Sequence, residues 1–206
     1  LYTGLQEGRH FEGGLRTMTK SILLVGVGGQ GTILASKILT LGLMEAGYDV
    51  KMSEIHGMSQ RGGSVSSQVR YGDEVYSPVI EKGTADIIVS FEKMEALRAL
   101  DYLKEGGVLV VNNEQIDSMS VITGQEEYPV DVLDIIEAHA KATVINATEL
   151  ARDLGNEKAA NIILLGTIIK SMGLEQIDWE SILRANIKPQ FVDLNLKAIK
   201  VGMEAV

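Results

Sequence analysis

The chain has 206 residues, 45% of them hydrophobic, and a net charge of -9 from 19 basic and 28 acidic side chains. This length and apolar content suit one domain with a proper core, and the acidity argues against a nucleic-acid surface, which needs clustered Lys and Arg. The absence of cysteine excludes disulfides, a thiol nucleophile, a cysteine zinc site and cysteine-ligated iron–sulfur clusters on this chain. Because its apolar runs are far shorter than the roughly 18 residues that cross a membrane, we expect a soluble, cytoplasmic protein without a membrane or nucleic-acid partner.

Residues 1–17 carry several glycines among mixed charges and lack the apolar run of a secretory signal. We expect them to be a leader or an artificial tail. We expect residues 18–206 to form a single domain, with a sheet core at about 20–147 and a helical tail at about 148–204.

From Met18 onward the sequence pattern alternates between strand and helix. The predicted strands are 21–25, 48–53, 64–71, 86–90, 108–112 and 143–147, and the predicted helices are 31–46, 92–103, 130–140, 149–154, 157–172, 178–187 and 189–203. The first two strands and their helix indicate a βαβ unit, and 64–71 is expected to pair with a short strand at 74–76. The alternation predicts an α/β, Rossmann-like fold: a mostly parallel sheet flanked by helices, with a helical C-terminal extension.

A glycine loop lies between the first strand and the first helix. Its candidate binding residues are Gly26, Gly28, Gly29, Gln30 and Gly31. Glycines here permit a tight turn and a close approach of ligand to backbone, and the free N–H groups of a helix start attract a phosphate. The spacing matches the dinucleotide fingerprint, with Glu54 as a candidate for the ribose. Equally, the glycines can serve only to make a close strand–helix turn.

A second polar, glycine-rich segment follows the second strand. It contributes the candidate interface or active-site residues His56, Ser59, Gln60, Arg61, Gly62, Gly63 and Ser64. Such a segment is more polar and mobile than a routine strand connection requires, although a solvated surface loop has the same composition. Elsewhere, Asn161 is expected to hydrogen-bond the glycine loop. Glu92 and Glu95 are expected at an exposed helix start rather than as a pair of catalytic carboxylates.

Together the two segments resemble one family. The runs GVGGQGT and SEIHGMSQRGGSVSSQVRYG, followed by EVYSP, are similar to the gamma-type subunit or domain of the 2-oxoacid:ferredoxin oxidoreductases. Within that family the chain most resembles the beta subunit of indolepyruvate:ferredoxin oxidoreductase. Further similarity occurs at FE-EAL, GNEKAAN and NLKA, so the resemblance covers residues 20–202.

The resemblance implies a division of labour between subunits. A large alpha subunit carries thiamine diphosphate, Mg²⁺ and 4Fe–4S clusters, decarboxylates the 2-oxoacid, and passes electrons to ferredoxin while coenzyme A takes the acyl group. The small subunit, like this chain, holds no metal and no catalytic residue, and is expected to be inactive alone. By resemblance it helps bind coenzyme A, so we expect Gly28 to Gly31 to face its phosphates, and Arg61 to hold an anion or an interface carboxylate.

The residues therefore leave three classes of function open. The first is a subunit of an indolepyruvate enzyme, or the gamma subunit of a pyruvate, 2-oxoisovalerate or 2-oxoglutarate enzyme. The second is a free-standing NAD-dependent dehydrogenase. The sequence shows no evident catalytic residue in a substrate domain, which argues against this class. The third is a nucleotide- or acyl-carrier-binding module, which leaves the HGMSQRGGSV segment without a role.

Overall fold

A computed structural model describes residues 18–57 and 63–206. The leader predicted at 1–17 and the site residues Ser59, Gln60, Arg61 and Gly62 lie outside the described residues. In the described ranges the strands are β1 (Lys20–Val27), β2 (Asp49–His56), β3 (Ser64–Gly72), β4 (Ala85–Ser90), β5 (Leu103–Asn112) and β6 (Ala142–Ile145). The α-helices are α1 (Thr32–Glu45), α2 (Lys93–Ala99), α3 (Met119–Ile122), α4 (Val132–His139), α5 (Ala147–Asp153), α6 (Ala160–Ser171), α7 (Trp179–Asn186) and α8 (Pro189–Glu204).

The strands form one sheet in the order β2-β3-β1-β4-β5-β6. β4 runs parallel to β1, β5 to β4, and β6 to β5, whereas β3 is antiparallel to both β1 and β2. Every strand except β3 therefore points the same way. The predicted α/β fold with a mostly parallel sheet and C-terminal helices is confirmed.

The pairing of β3 differs from its prediction. β3 does not pair with residues 74–76, which form no strand; instead it lies between β1 and β2, with Val65 opposite both Gly26 and His56. The predicted β1–α1–β2 unit exists, but its two parallel strands are not neighbours. The alternating pattern of β3 indicates one covered face and does not say which strand lies beside it.

Helices cover the sheet on both faces. Ile22 and Leu24 of β1 pack with α1 and the C-terminal helices α5 to α8, and Leu23 and Val25 pack with α2 and α4 on the opposite face. This alternation along β1 is the two-residue period of a strand buried on both sides. The helix predicted at 92–103 is shorter than expected, because α2 and a 3₁₀ turn end before β5 starts at Leu103.

Helices α6 and α8 pack against each other with their backbones in contact. A Cβ added at Gly202 would lie 1.9 Å from the carbonyl oxygen of Ile163, and one added at Gly166 would lie 2.3 Å from that of Ile199. The two backbones therefore touch, and only glycine fits at these positions. This contact fixes α6, whose first residues reach the glycine loop.

Candidate functional site

The carboxyl ends of the parallel strands bring the two predicted segments together. The glycine loop follows β1, the second segment connects β2 to β3, and Phe91 follows β4. Ligands of open α/β sheets bind at this edge, outside the carboxyl ends of the strands. The edge is therefore the candidate functional site.

The glycine loop is a tight turn that leads into α1. The Gln30 N–H donates to the Val27 carbonyl at 3.1 Å, and Gly29 between them has a φ of 107°. Gly31, the N-cap of α1, has a φ of 83°. Both values lie in the left-handed region that favours glycine, so the turn needs glycine at these two positions.

The Gln30 side chain points into the protein. Its Oε1 accepts from the Val27 N–H at 2.8 Å, and its Nε2 donates to the Phe91 carbonyl at 2.8 Å. Asn112 Nδ2 donates to the same carbonyl at 3.1 Å. A Cβ at Gly26 would lie 2.9 Å from both Gln30 Oε1 and Phe91 Cβ, so glycine there makes room for this network. Gln30 thus shapes the loop from within.

Asn161 at the start of α6 holds the other end of the loop. Its Nδ2 donates to the Gly31 carbonyl at 3.3 Å, which confirms the predicted contact between Asn161 and the glycine loop. A Cβ at Gly31 would lie 2.5 Å from that nitrogen. The C-terminal helical layer therefore contacts the loop directly.

The first turn of α1 has backbone N–H donors that the helix itself does not bond. No side chain caps this helix, so the N–H groups of Thr32, Ile33 and Leu34 have no partner within it. Ile33 and Leu34 are 46% and 39% exposed, and a Cβ at Gly29 would meet nothing within 4 Å. An uncapped helix start beside an open glycine turn is suited to an anionic group with an apolar part.

The two glycine-rich segments are hydrogen-bonded to each other. The Gly28 N–H donates to the Gly63 carbonyl at 2.9 Å, and Val27 lies opposite Ser64 in the β1–β3 pairing. Within the second segment, the Gly57 N–H donates to the Ser64 carbonyl at 2.9 Å. Gly63 and Ser64, predicted from the second motif, therefore adjoin the glycine loop. The roles of Ser59, Gln60, Arg61 and Gly62, which lie outside the described residues, stay predictions.

His56 ends β2 at the same edge. Its side chain is 40% exposed, and Nε2 lies 3.6 Å from Glu54 Oε2. Glu54, the residue in the ribose position of a dinucleotide fingerprint, thus has a partner within its own strand. This pair lies on the face of β2 that turns toward α1, because Met52, two residues earlier, contacts Thr40 of that helix.

The expectation that Glu92 and Glu95 lie at an exposed helix start is wrong. Glu92 is 1% exposed and Glu95 is 5% exposed. Glu92 caps α2 by accepting from the Glu95 N–H, and it also accepts from the Tyr128 hydroxyl at 2.6 Å. Burial and this carboxylate raise the pKa of Tyr128. A buried carboxylate needs such donors, which residue spacing alone does not reveal.

Glu95 is bound from two sides. The Ser64 hydroxyl donates to Oε2 at 2.5 Å, and Arg98 donates to Oε1 at 2.6 Å. Glu95, Ser64 and Glu92 line a cavity of about 70 Å³ beneath the strand edge. Glu95 and Asn112 shape the site but were not predicted from the sequence to do so. A polar residue at the end of an apolar strand was the available signal for Asn112.

Neither a metal centre nor a membrane span is found in the part of the chain that the structure describes. Residues 18–57 and 63–206 contain no group of three His, Cys, Asp or Glu side chains placed to hold a metal ion. Within the same ranges, no helix is long and apolar enough to cross a bilayer.

Comparison with known proteins identifies the family. Residues 21–205 match the family described as pyruvate ferredoxin/flavodoxin oxidoreductase. The chain is 38% identical over 191 residues to the indolepyruvate oxidoreductase subunit IorB of Pyrococcus horikoshii, covering 90% of this chain and 95% of that protein.

Solved structures share the fold. A keto/oxoacid ferredoxin oxidoreductase gamma subunit from Geobacter sulfurreducens has a TM-score of 0.66 at 27% identity, covering 90% of this chain and 97% of that one. The 2-oxoglutarate:ferredoxin oxidoreductase of Magnetococcus marinus, with 2-oxoglutarate, coenzyme A and succinyl-CoA bound, has a TM-score of 0.69 at 20% identity. There the match covers 91% of this chain and 31% of the other, so the same fold occurs within a longer polypeptide. The family resemblance found in the sequence is confirmed, and the chain belongs to the pyruvate ferredoxin/flavodoxin oxidoreductase family.

Proposed function

We propose that this chain is the small subunit, without redox cofactor, of an indolepyruvate:ferredoxin oxidoreductase. The complex oxidatively decarboxylates indolepyruvate or another aryl pyruvate to the acyl-CoA and CO₂, and it reduces ferredoxin. The observation that carries the proposal is the near-full-length similarity to an indolepyruvate oxidoreductase subunit, at 38% identity over 95% of that protein.

The chemistry of the chain fits a subunit that leaves electron transfer to its partner. It has no cysteine with which to ligate an iron–sulfur cluster. Thiamine diphosphate, Mg²⁺ and the 4Fe–4S clusters then belong to the large alpha subunit, through which ferredoxin is reduced. Residues 18–206 act as one gamma-type domain in the cytoplasm, and the isolated chain is inactive.

The glycine loop is the proposed contact for coenzyme A. The uncapped start of α1 offers three N–H groups to a phosphate, and Gly29 leaves open space beside them. The exposed side chains of Ile33 and Leu34 offer apolar surface to the rest of the molecule. Gln30 and Gly26 maintain the loop, since the Gln30 side chain bonds inward to Val27 and Phe91.

The second glycine-rich segment is the proposed link to the partner's active site. His56 and Ser64 flank it on neighbouring strands, and Arg61 between them holds an anion or an interface carboxylate. If Arg61→Ala leaves both assembly and turnover unchanged, this part of the proposal is wrong and the segment is a solvated surface loop.

A related assignment is the gamma subunit of an enzyme for another 2-oxoacid. The 27% identity with the Geobacter keto/oxoacid gamma subunit over 97% of its length favours it as the second candidate. The substrate pocket lies in the partner subunit, so the choice of acid depends on that subunit.

Oxygen-free affinity purification of this chain from its native cells tests the proposal. A copurifying large subunit, identified by mass spectrometry and showing iron–sulfur absorbance, is the expected result, and turnover should be fastest with aryl 2-oxoacids. A faster rate with pyruvate, 2-oxoisovalerate or 2-oxoglutarate would support the second candidate. A colourless chain that returns alone would contradict both, and would direct attention to NAD and acyl-carrier binding.

A further inference from the structure

Glu95 is a buried carboxylate, and the proposed function does not explain its burial. It is 5% exposed, and transferring a carboxylate from water into a protein interior is unfavourable unless donors replace the water. Its position in the first turn of α2 is favourable for an acid, because the positive end of the helix dipole lies there. That position alone does not require the side chain to be buried.

The two donors to Glu95 differ in kind. Arg98 lies one turn later on the same helix and its side chain is 59% exposed, so this contact is local. Ser64 is 31 residues away in sequence and begins β3. The bond from the Ser64 hydroxyl to Glu95 therefore joins α2 to the end of the second glycine-rich segment.

The position of Ser64 determines a contact on the glycine loop. Ser64 lies opposite Val27 in the β1–β3 pairing, and its carbonyl accepts from the Gly57 N–H. The preceding carbonyl, that of Gly63, accepts from the Gly28 N–H at 2.9 Å. Gly28 is the first residue of the turn that exposes Gly29 and starts α1. A shift of Ser64 thus moves the acceptor that holds this turn.

We propose that Glu95 is a positioning residue: through the Ser64 hydroxyl it holds the Gly63 carbonyl on the Gly28 N–H, and so fixes the glycine loop in the shape that receives coenzyme A. This inference rests on the proposed function for its ligand. Its structural part, the connection from Glu95 to Gly28, is independent of that function.

Hydrogen exchange of the isolated chain tests the structural part. Ser64→Ala removes the donor, and Glu95→Met removes the acceptor while keeping the side-chain volume. Each variant should speed exchange of the Gly28 amide about threefold to tenfold, and the double variant should do no more than either alone. Ser64→Thr keeps a hydroxyl at an exposed strand position and should restore the wild-type rate.

A matched control comes from the same cavity. Ser118 also lines it, but its hydroxyl caps α3 and contacts Ser120 rather than the strand edge. Ser118→Ala should leave Gly28 exchange unchanged. Wild-type exchange at Gly28 in Ser64→Ala would overturn the inference, as would equal acceleration in Ser118→Ala. If Glu95→Met fails to fold, the comparison of Ala and Thr at position 64 decides the matter.

Steady-state kinetics of the reconstituted complex test the functional part. Ser64→Ala and Glu95→Met should raise the KM for coenzyme A about threefold to tenfold, with the KM for indolepyruvate and kcat unchanged. Equal increases in both KM values would contradict a positioning role at this loop. Absence of coenzyme A-dependent turnover in the wild-type complex would instead refute the proposed function, while the exchange result would still decide whether Glu95 holds the loop.

Discussion

The glycine loop and the α6–α8 contact both depend on glycine, for opposite reasons. Gly29 and Gly31 have positive φ values, and the turn that they form leads into the uncapped start of α1. Gly166 and Gly202 are helical and bring two backbones into contact. The loop glycines therefore shape a turn that exposes backbone, and the helix glycines allow close packing. Substitutions in the helices should therefore affect stability alone, whereas those in the loop should affect ligand binding as well as stability.

The largest effect is expected at the helix contact. Gly202→Ala would place a Cβ 1.9 Å from the Ile163 carbonyl oxygen, a backbone atom that cannot move aside. We expect the free energy of unfolding to fall by about 3 kcal/mol or more, since overpacking outweighs the better helix propensity of alanine. Denaturant-induced unfolding measures this change in the free energy of unfolding. Lys197→Ala, at an exposed position of α8, is the control and should change stability by less than about 0.5 kcal/mol. Equal stability of Gly202→Ala and wild type would contradict the packing role.

Gly31 combines the two uses of glycine and should give the next largest effect. Gly31→Ala forces a side chain into a left-handed conformation and against Asn161 Nδ2, and we expect a loss of about 2 to 3 kcal/mol in unfolding free energy. Gly29→Ala is the matched control: it has the same backbone strain but nothing within 4 Å, so it should lose only about 1 to 2 kcal/mol. Adding Asn161→Ala to Gly31→Ala should recover the difference in unfolding free energy between Gly31→Ala and Gly29→Ala. Equal losses at positions 29 and 31 would show that Asn161 does not restrict this site.

Gln30 tests whether the loop needs support from within. Gln30→Ala removes the acceptor of the Val27 N–H and one donor to the Phe91 carbonyl. The loss of these two hydrogen bonds should lower the unfolding free energy by about 2 kcal/mol. The same variant in the complex should raise the KM for coenzyme A and leave that for the 2-oxoacid unchanged. A raised KM for coenzyme A with wild-type stability would instead indicate that Gln30 touches the ligand.

The smallest effect is expected at the amino end of the strands, away from the loop. Asp86 is partly buried, which raises its pKa, but hydrogen bonds from Lys104 and the Ser21 N–H and the charge of Lys20 lower the pKa to below its usual 3.8. Because the folded pKa is lowered, the carboxylate stabilises the fold above the unfolded pKa and loses this effect as pH falls through the folded value. Asp86→Asn should thus be less stable than wild type at pH 7 and approach it below about pH 4. A pH-independent difference in unfolding free energy would contradict this, and the KM for coenzyme A should not change at all.

Much of the fold follows from local patterns. Apolar runs and helical spacing predict the strands β1, β4 and β6 and the C-terminal helices, because their burial on one or both faces fixes the period. The four-residue helix α3 carries too little periodicity to be predicted. The place of β3 was not predicted either, since alternation along a strand fixes which side chains face inward but not its neighbour. The seven residues that connect β2 to β3 were the signal for an antiparallel hairpin.

The site was predicted less completely than the fold. The motif placed Gly28 to Gly31 between a strand and a helix, and the amide of Asn161 beside an apolar stripe indicated a contact with the glycine loop, which the structure places at the Gly31 carbonyl. The inward orientation of Gln30 and the burial of Glu95 depend on Phe91 and Ser64, which are distant in sequence. Hydrogen bonds between residues distant in sequence produce no periodic pattern in the sequence.

Titration of this chain into its purified large subunit under anaerobic conditions tests whether the two chains form one enzyme. The rate of coenzyme A-dependent ferredoxin reduction by indolepyruvate is followed at a fixed concentration of the large subunit. We predict no activity from either component alone, and a rate that rises with added chain until it saturates at a fixed ratio. Full activity of the large subunit without this chain, or no activity at any ratio, would contradict the assignment.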